Sequence, residues 1–322
     1  MRSFFRLAWV ALFLHAPGMS ASMAQEAPPL WAYPVNPPGF TPTPDDGLVR
    51  RVPDSDVGYT TPQVRDRFSA PDWHPASHAP LPPVVASGRK PDVSACGYCH
   101  RAEGNGGPEN ASLAGLPFAY IVQQMNDYKS GLRSTAVAKR NPQALMITTA
   151  KGLTDDEIRQ AAAYFSALQP RQNIRVLETD MVPKTYIANW HLVKSPTAEV
   201  EPIGQRIIEV PDVLAHFESR DTRATFTAYV PTGSVDKGRT LAAGTADLKV
   251  AACASCHGKD LRGLEAIPSI AGRSPTYIVR QLHEIKAGIR AGAAIQPMKD
   301  VAARLKPDDM VSIAAYLASL PP

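Results

Sequence analysis

The sequence predicts a mainly α-helical protein of two tandem domains, preceded by a proline-rich N-terminal arm and joined by an irregular connector with short strands. Three observations carry that expectation. A stretch of sequence recurs after 157 positions, apolar residues recur at helical spacing inside each copy, and 15 of the 31 prolines lie between Pro28 and Pro91.

The repeat places the domains at residues 87–170 and 233–322. At an offset of 157, Ala114-Gly115 meets Ala271-Gly272, Tyr120-Ile121-Val122 meets Tyr277-Ile278-Val279, and Gln124, Gly131 and Arg133 meet Gln281, Gly288 and Arg290. Five residues then drop out of the second copy. At the resulting offset of 152, Met146 meets Met298, Ala163-Tyr164 meets Ala315-Tyr316, and Leu168 meets Leu320.

Within the first copy, Phe118, Ile121, Val122, Met125 and Tyr128 form one helical face, matched by Ile278, Leu282 and Ile285 in the second. Thr154-Asp155-Asp156-Glu157 reads as a capping box that opens a last helix, and Pro307 opens its counterpart. Ser234 to Ala242 suits a leading helix in the second copy, whereas Pro91 interrupts the equivalent stretch of the first, which must use something else.

Residues 25–86 read as an extended arm wrapped on the first domain, with Trp31, Tyr33, Phe40, Tyr59, Phe68 and Trp73 as apolar anchors. In the connector, 171–232, the β-branched runs Ile174 to Leu177, Ile203 to Val210 and Ala224 to Val230 predict short strands or hairpins. Residues 1–24 have the form of an export signal: Arg2 and Arg6, an apolar core from Leu7 to Leu14, and a small-residue site that predicts cleavage near Ala24/Gln25. The apolar run is too short for a membrane span, so none is expected in the mature chain. Its loss lowers the formal charge from +4 to +2, and no concentrated basic patch points to nucleic acid.

The chemistry sits in Cys96-Gly-Tyr-Cys99-His100 and Cys253-Ala-Ser-Cys256-His257, which use every cysteine of the chain. In Cys-x-x-Cys-His the two thiols are spaced to form thioethers with the two haem vinyl groups, and the next residue sets an imidazole under the iron. A zinc site would need four converging ligands, and a thioredoxin-like pair would need a βαβ setting that neither copy shows. Two covalently bound haem c groups are therefore expected, with Cys96, Cys99, Cys253 and Cys256 as attachment points. Met146 and Met298 coincide in register and are the candidate sixth iron ligands, while Met125 and Met310 align with aliphatics and are expected to pack. Met298 is expected in a loop, because Gln296-Pro297 precedes it.

In these motifs the chain resembles the class I cytochrome c family, particularly its dihaem two-domain members. The resemblance covers roughly residues 87–170 and 233–322 and includes Ala-Gly with Tyr-Ile-Val, Gly-x-Arg and the Ala-Tyr of the last helix. It implies two class I cytochrome c domains, His100 and His257 as proximal iron ligands, Met146 and Met298 as distal ones, and electron transfer as the activity. One departure is that Ala111 stands where the second copy has Pro268, so the surroundings of the first haem are expected to differ. Arg133 and Arg290 have two readings, haem propionate contacts or solvated surface arginines. Tyr164 and Tyr316 are expected to pack the last helix. His74 and His78, four residues apart, could in principle ligate a metal or a haem, but Pro75 argues against a shared helical face and they are expected to be surface or packing residues. His191, His216 and His283 lack counterparts in the other copy and carry the same expectation.

The expected function is that of an exported electron carrier, not itself an enzyme, between a redox protein donor and an acceptor, or of a haem subunit in a dehydrogenase or oxidase complex. The arm and connector are then candidate docking surfaces. The competing reading is a dihaem peroxidase-like oxidoreductase, which would need one open haem iron.

Overall fold

The computed structural model describes residues 27–246 and 250–322, so the expected export signal and its cleavage site lie outside it. Each repeat contains the same four helices in the same order. A short attachment helix (Cys96–His100; Ala254–His257) is followed by a central helix (Phe118–Ser130; Pro275–Lys286). Next come a methionine-bearing helix (Asn141–Gly152; Gln296–Arg304, preceded by the 3-10 turn Ala293–Ile295) and a closing helix (Asp155–Ala167; Pro307–Ser319). The offset of 152 read from the sequence carries the first closing helix onto the second residue for residue.

Local chemistry accounts for the helix ends. The Thr154 hydroxyl accepts from the Glu157 N–H at 3.2 Å while the Glu157 carboxylate accepts from the Thr154 N–H at 2.7 Å, the reciprocal pair of a capping box. Gly131, at φ 77°, ends the first central helix in the left-handed conformation. The loop expected around Met298 is instead helical: Pro297 occupies the first turn, where a missing N–H forfeits no bond, so Met298 stands at the start of a helix.

Two main cores result. Ile121, Met125, Tyr128, Ile158, Ala162 and Phe165 fill the first domain. The second core joins Ile278, Leu282, Ile285, Met310 and Ile313 to Ile207, Phe226 and Val230 of the connector and to Ala32 and Tyr33 of the arm. The leading helix Ser234–Ala242 crosses the second closing helix so closely that a Cβ on Gly238 would clash with the Ser312 carbonyl oxygen. In the first domain the short helix Pro83–Ala86 takes its place and puts Val84 and Val85 into the core.

The connector builds a three-stranded sheet with Phe226–Val230 at its centre, parallel to Ile174–Glu178 and antiparallel to Ile208–Pro211. The predicted strands are present there. Two further antiparallel pairs, Met181–Pro183 with Val200–Pro202 and Thr185–Ala188 with His191–Lys194, carry little apolar alternation and left no sequence signal. The arm does more than wrap the first domain, because its first anchor docks on the second. The Tyr33 hydroxyl donates to the Arg280 carbonyl at 3.3 Å, and the Arg280 guanidinium donates to the Ala32 carbonyl at 2.8 Å. Farther along, Val52, Val64 and Trp73 form a small cluster of their own, and the Trp73 indole donates to the Ser219 carbonyl of the connector at 2.8 Å.

Candidate haem centres

On the attachment helix of the first domain, Cys96, Cys99 and His100 are three and four residues apart and so share one face. Cys253, Cys256 and His257 repeat the arrangement. His100 Nδ1 lies 2.8 Å from the Ala111 carbonyl oxygen, and His257 Nδ1 lies 2.8 Å from that of Pro268. A carbonyl only accepts, so Nδ1 carries the proton in each ring and Nε2 keeps its lone pair for an iron. Burial holds both imidazoles below the usual histidine range, which favours that neutral state. Burial also pushes the Cys96 thiol up to about 12 and raises Cys99 and Cys253, and all four cysteines are free of disulfides.

The loop after each histidine repeats its hydrogen bonds. Gly106 donates to the His100 carbonyl at 2.9 Å and Gly263 to that of His257 at 2.8 Å. Gly115 and Gly272 tie the same loop to the closing helices, through the carbonyls of Phe165 at 3.0 Å and Leu317 at 2.8 Å. The acceptor for each histidine is a backbone carbonyl, so the exchange of Pro268 for Ala111 leaves this contact unchanged. The asymmetry between the sites arises elsewhere. Arg101 and Glu109, where the second domain has Gly258 and Ala266, form a buried ion pair at 3.3 Å beside the first motif. Sequence reasoning missed that pair, although the two charges facing Gly and Ala across the repeat were its visible signal.

Cys96, Cys99, His100 and Met146 line one cleft of the first domain, with Leu116, Ile121 and Phe165 among its apolar walls and a free space of about 1140 Å³ including its mouth. Met125 is buried as expected, yet it also forms part of this wall. In the second domain Met298 is half-buried against the core that contains Ile278 and Leu282. Two thiols and a free imidazole nitrogen on one helix, with a thioether in the same apolar cleft, fit a covalently attached haem.

Arg133 and Arg290 are not solvated surface arginines: they are 6% and 5% exposed and meet where the domains touch. Arg133 donates to Gln124 Oε1 at 2.9 Å, to Gln281 Oε1 at 2.8 Å and to the Tyr277 hydroxyl at 3.1 Å. Arg290 mirrors it, donating to Gln281 Oε1 at 3.0 Å and Gln124 Oε1 at 2.7 Å, and hydrogen-bonding Tyr120. Backbone bonds close the seam, from Ser134 to the Ile289 carbonyl at 3.2 Å and from Ala291 to that of Leu132 at 2.7 Å. Two guanidiniums thus share two amide oxygens under a pseudo-twofold axis. Arg133, Gln124 and Tyr277 also line the first cleft, and Arg133 Nε is buried without a partner among the described residues. Buried cations held by neutral groups provide a setting for anionic propionates.

His74, His78 and His191 take packing positions. His78 Nε2 is 3.1 Å from Asp72, His74 is 3.5 Å from Asp221, and His191 packs on Phe217 with ring centres 4.0 Å apart. Tyr164 closes the last helix on the motif loop through its hydroxyl, which donates to the Ala102 carbonyl at 2.9 Å.

The cytochrome c family model matches residues 86–169 and again residues 235–321. The chain is 27% identical to the thiosulfate dehydrogenase electron acceptor of Thiomonas intermedia, over 77% of this chain and 84% of that protein. It is 24% identical to cytochrome c4 of Pseudomonas aeruginosa, over 71% of this chain and 85% of the other. The solved structure of cytochrome c4 from Acidithiobacillus ferrooxidans aligns with a TM-score of 0.45 at 23% identity, over 70% of this chain and 98% of that chain. Each matched segment holds one Cys-x-x-Cys-His motif and a closing helix, and most of the arm and the connector fall outside both.

Proposed function

Because this chain belongs to the cytochrome c family, we propose that it takes electrons from a dehydrogenase-type donor outside the cytoplasm and hands them to a second redox protein. Two covalently bound haem c groups supply the one-electron couple. Cys96 and Cys99 hold one by thioether bonds, and Cys253 and Cys256 hold the other. His100 and His257 each present Nε2 to an iron, kept in orientation by the bonds from Nδ1 to the carbonyls of Ala111 and Pro268. Met146 and Met298 would supply a thioether sulfur to each iron, and methionine ligation raises the potential. Arg133 and Arg290 neutralise propionate charge at the seam and keep the two centres together.

The observation that carries this reading is the duplicated geometry: the same thiols, imidazole and carbonyl acceptor in two domains joined by a shared arginine seam. The similarity to an electron acceptor of thiosulfate dehydrogenase supports a dehydrogenase as donor. The basic, apolar and small-residue pattern of residues 1–24 supports export, and no helix among the described residues is long and apolar enough to cross a membrane. The peroxidase reading needs an open iron, and Met146 lining the first cleft weighs against it.

Axial-ligand spectroscopy tests the assignment. Met146→Ala and Met298→Ala are each expected to remove one of two methionine-to-iron charge-transfer contributions and to lower one of two potentials in a redox titration. If both variants keep the full band, the ligand assignment is wrong.

A further inference from the structure

The two attachment helices differ in what covers them. In the first domain Gly97 lies against the arm, where a Cβ would stand 2.9 Å from both the Ala70 Cβ and the Val85 carbonyl oxygen. Tyr98 lies under the connector: the Arg220 guanidinium is 3.6 Å from its ring centre and donates to its carbonyl at 3.1 Å. The Tyr98 hydroxyl in turn donates to the Arg65 carbonyl of the arm at 3.2 Å. The turn Gly107–Asn110 is also enclosed, because Arg280 of the second domain donates to the Pro108 carbonyl at 2.7 Å.

Among the described residues, none of this cover is repeated in the second domain. Ala254 and Ser255 replace Gly97 and Tyr98, and both are exposed. The matching turn carries Leu264 at its tip, 54% exposed. Lys259, Asp260, Arg262 and Glu265 flank it along the chain, all exposed and none in an ion pair among the described residues. An apolar centre beside a redox attachment point, rimmed by charges of both signs, is suited to brief contact with another electron-transfer protein.

We propose that the arm and connector close the attachment face of the first domain to other proteins, so that a redox protein docks on the open face of the second, around Cys256 and Leu264. The docking partner is a one-electron carrier with an apolar contact area and both signs of charge at its edge, and the first centre exchanges electrons through the seam. The alternating rim makes this contact less dependent on ionic strength than a rim of one sign would be. The proposal rests on a haem being attached at each motif.

The test uses the full-length holoprotein and a reduced single-domain cytochrome c as probe, with ascorbate as a reductant that needs no docking face. Haem content is measured first, and fewer than two covalent haems in the parent chain would overturn the underlying assignment. With two present, Leu264→Glu and, separately, Ala266→Trp are expected to slow reduction by the probe about tenfold and leave the ascorbate rate unchanged. Phe118→Glu, at an exposed apolar position of the first domain (42%), is expected to leave both rates unchanged. A second readout is independent of electron transfer: a zinc-substituted form of the probe should shift the amide resonances of Ser255 and Leu264 and spare those of Gly97 and Tyr98. Unchanged probe rates in both second-domain variants, or shifts centred on Gly97 and Tyr98, would overturn the proposed docking face.

Discussion

At the scale of single residues, the two centres share their histidine contacts and differ in a charge pair. Arg101 and Glu109 are 1% and 8% exposed and lie within the proximal loop of the first site, while Gly258 and Ala266 leave the second site uncharged there. Glu109→Gln leaves the Arg101 cation uncompensated near the first iron and disfavours its more positive oxidised state. The expected result is a rise of tens of millivolts in one potential, on a scale where about 59 mV is tenfold for one electron, with the other unmoved. A redox titration in which both potentials rise together would show that the pair does not act locally. Ala111→Pro, by contrast, keeps the carbonyl that accepts from His100, so a smaller shift than that of Glu109→Gln is expected in the same titration.

At the scale of elements, the helix contacts have measurable consequences. Gly238→Ala would drive a Cβ into the Ser312 carbonyl, and the leading helix can relieve it only by moving off the closing helix. A loss of about 1–3 kcal/mol is expected from such overpacking, to be read from urea unfolding. The connector contributes a different device at the second central helix. Buried Glu209, on the strand Ile208–Pro211, accepts from the Ser274 hydroxyl at 2.7 Å and from the Thr276 N–H at 3.3 Å, where the helix begins. Burial raises this carboxyl above its ordinary value despite those donors. The folded chain therefore keeps a proton that the unfolded chain has already released. Its contribution is full below the unfolded value of about 4.3 and is lost as pH rises through the raised native value. Glu209→Gln retains an acceptor for Ser274 and Thr276 and should flatten that decline. A pH series of urea midpoints as steep in the variant as in the parent would count against this origin.

At the scale of the whole molecule, the seam decides how the halves behave together. Gln124 and Gln281 belong to different domains, yet each accepts from both arginines. Gln124→Leu and Gln281→Leu are expected to be non-additive, with a coupling of roughly 0.5–3 kcal/mol in a double-mutant cycle. Strict additivity would mean that the domains are held together by other contacts. The repeat register revealed that Arg133 and Arg290 are equivalent, but not that they exchange partners, since that depends on how the domains are placed. In the same way, the helical spacing of Ile121, Met125 and Tyr128 revealed a buried face, while the cover over Gly97 and Tyr98 required knowing where the arm returns.

The sequence by itself determined the paired thiols and histidines, the matched methionines, the helices that carry them and the duplication that relates the two sites. Each of these follows from spacing along the chain, because helix periodicity, capping and thioether attachment act over a few residues. Only the tertiary structure decided that Ala32 and Tyr33 of the arm pack on the second domain, that the arginines meet in one seam, and that the arm and connector cover the first attachment helix. Those outcomes rest on contacts such as Tyr98 with Arg220 and Arg133 with Gln281, 122 and 148 residues apart. Such pairings are selected by packing and polar satisfaction in space, which leave no fixed interval in the sequence.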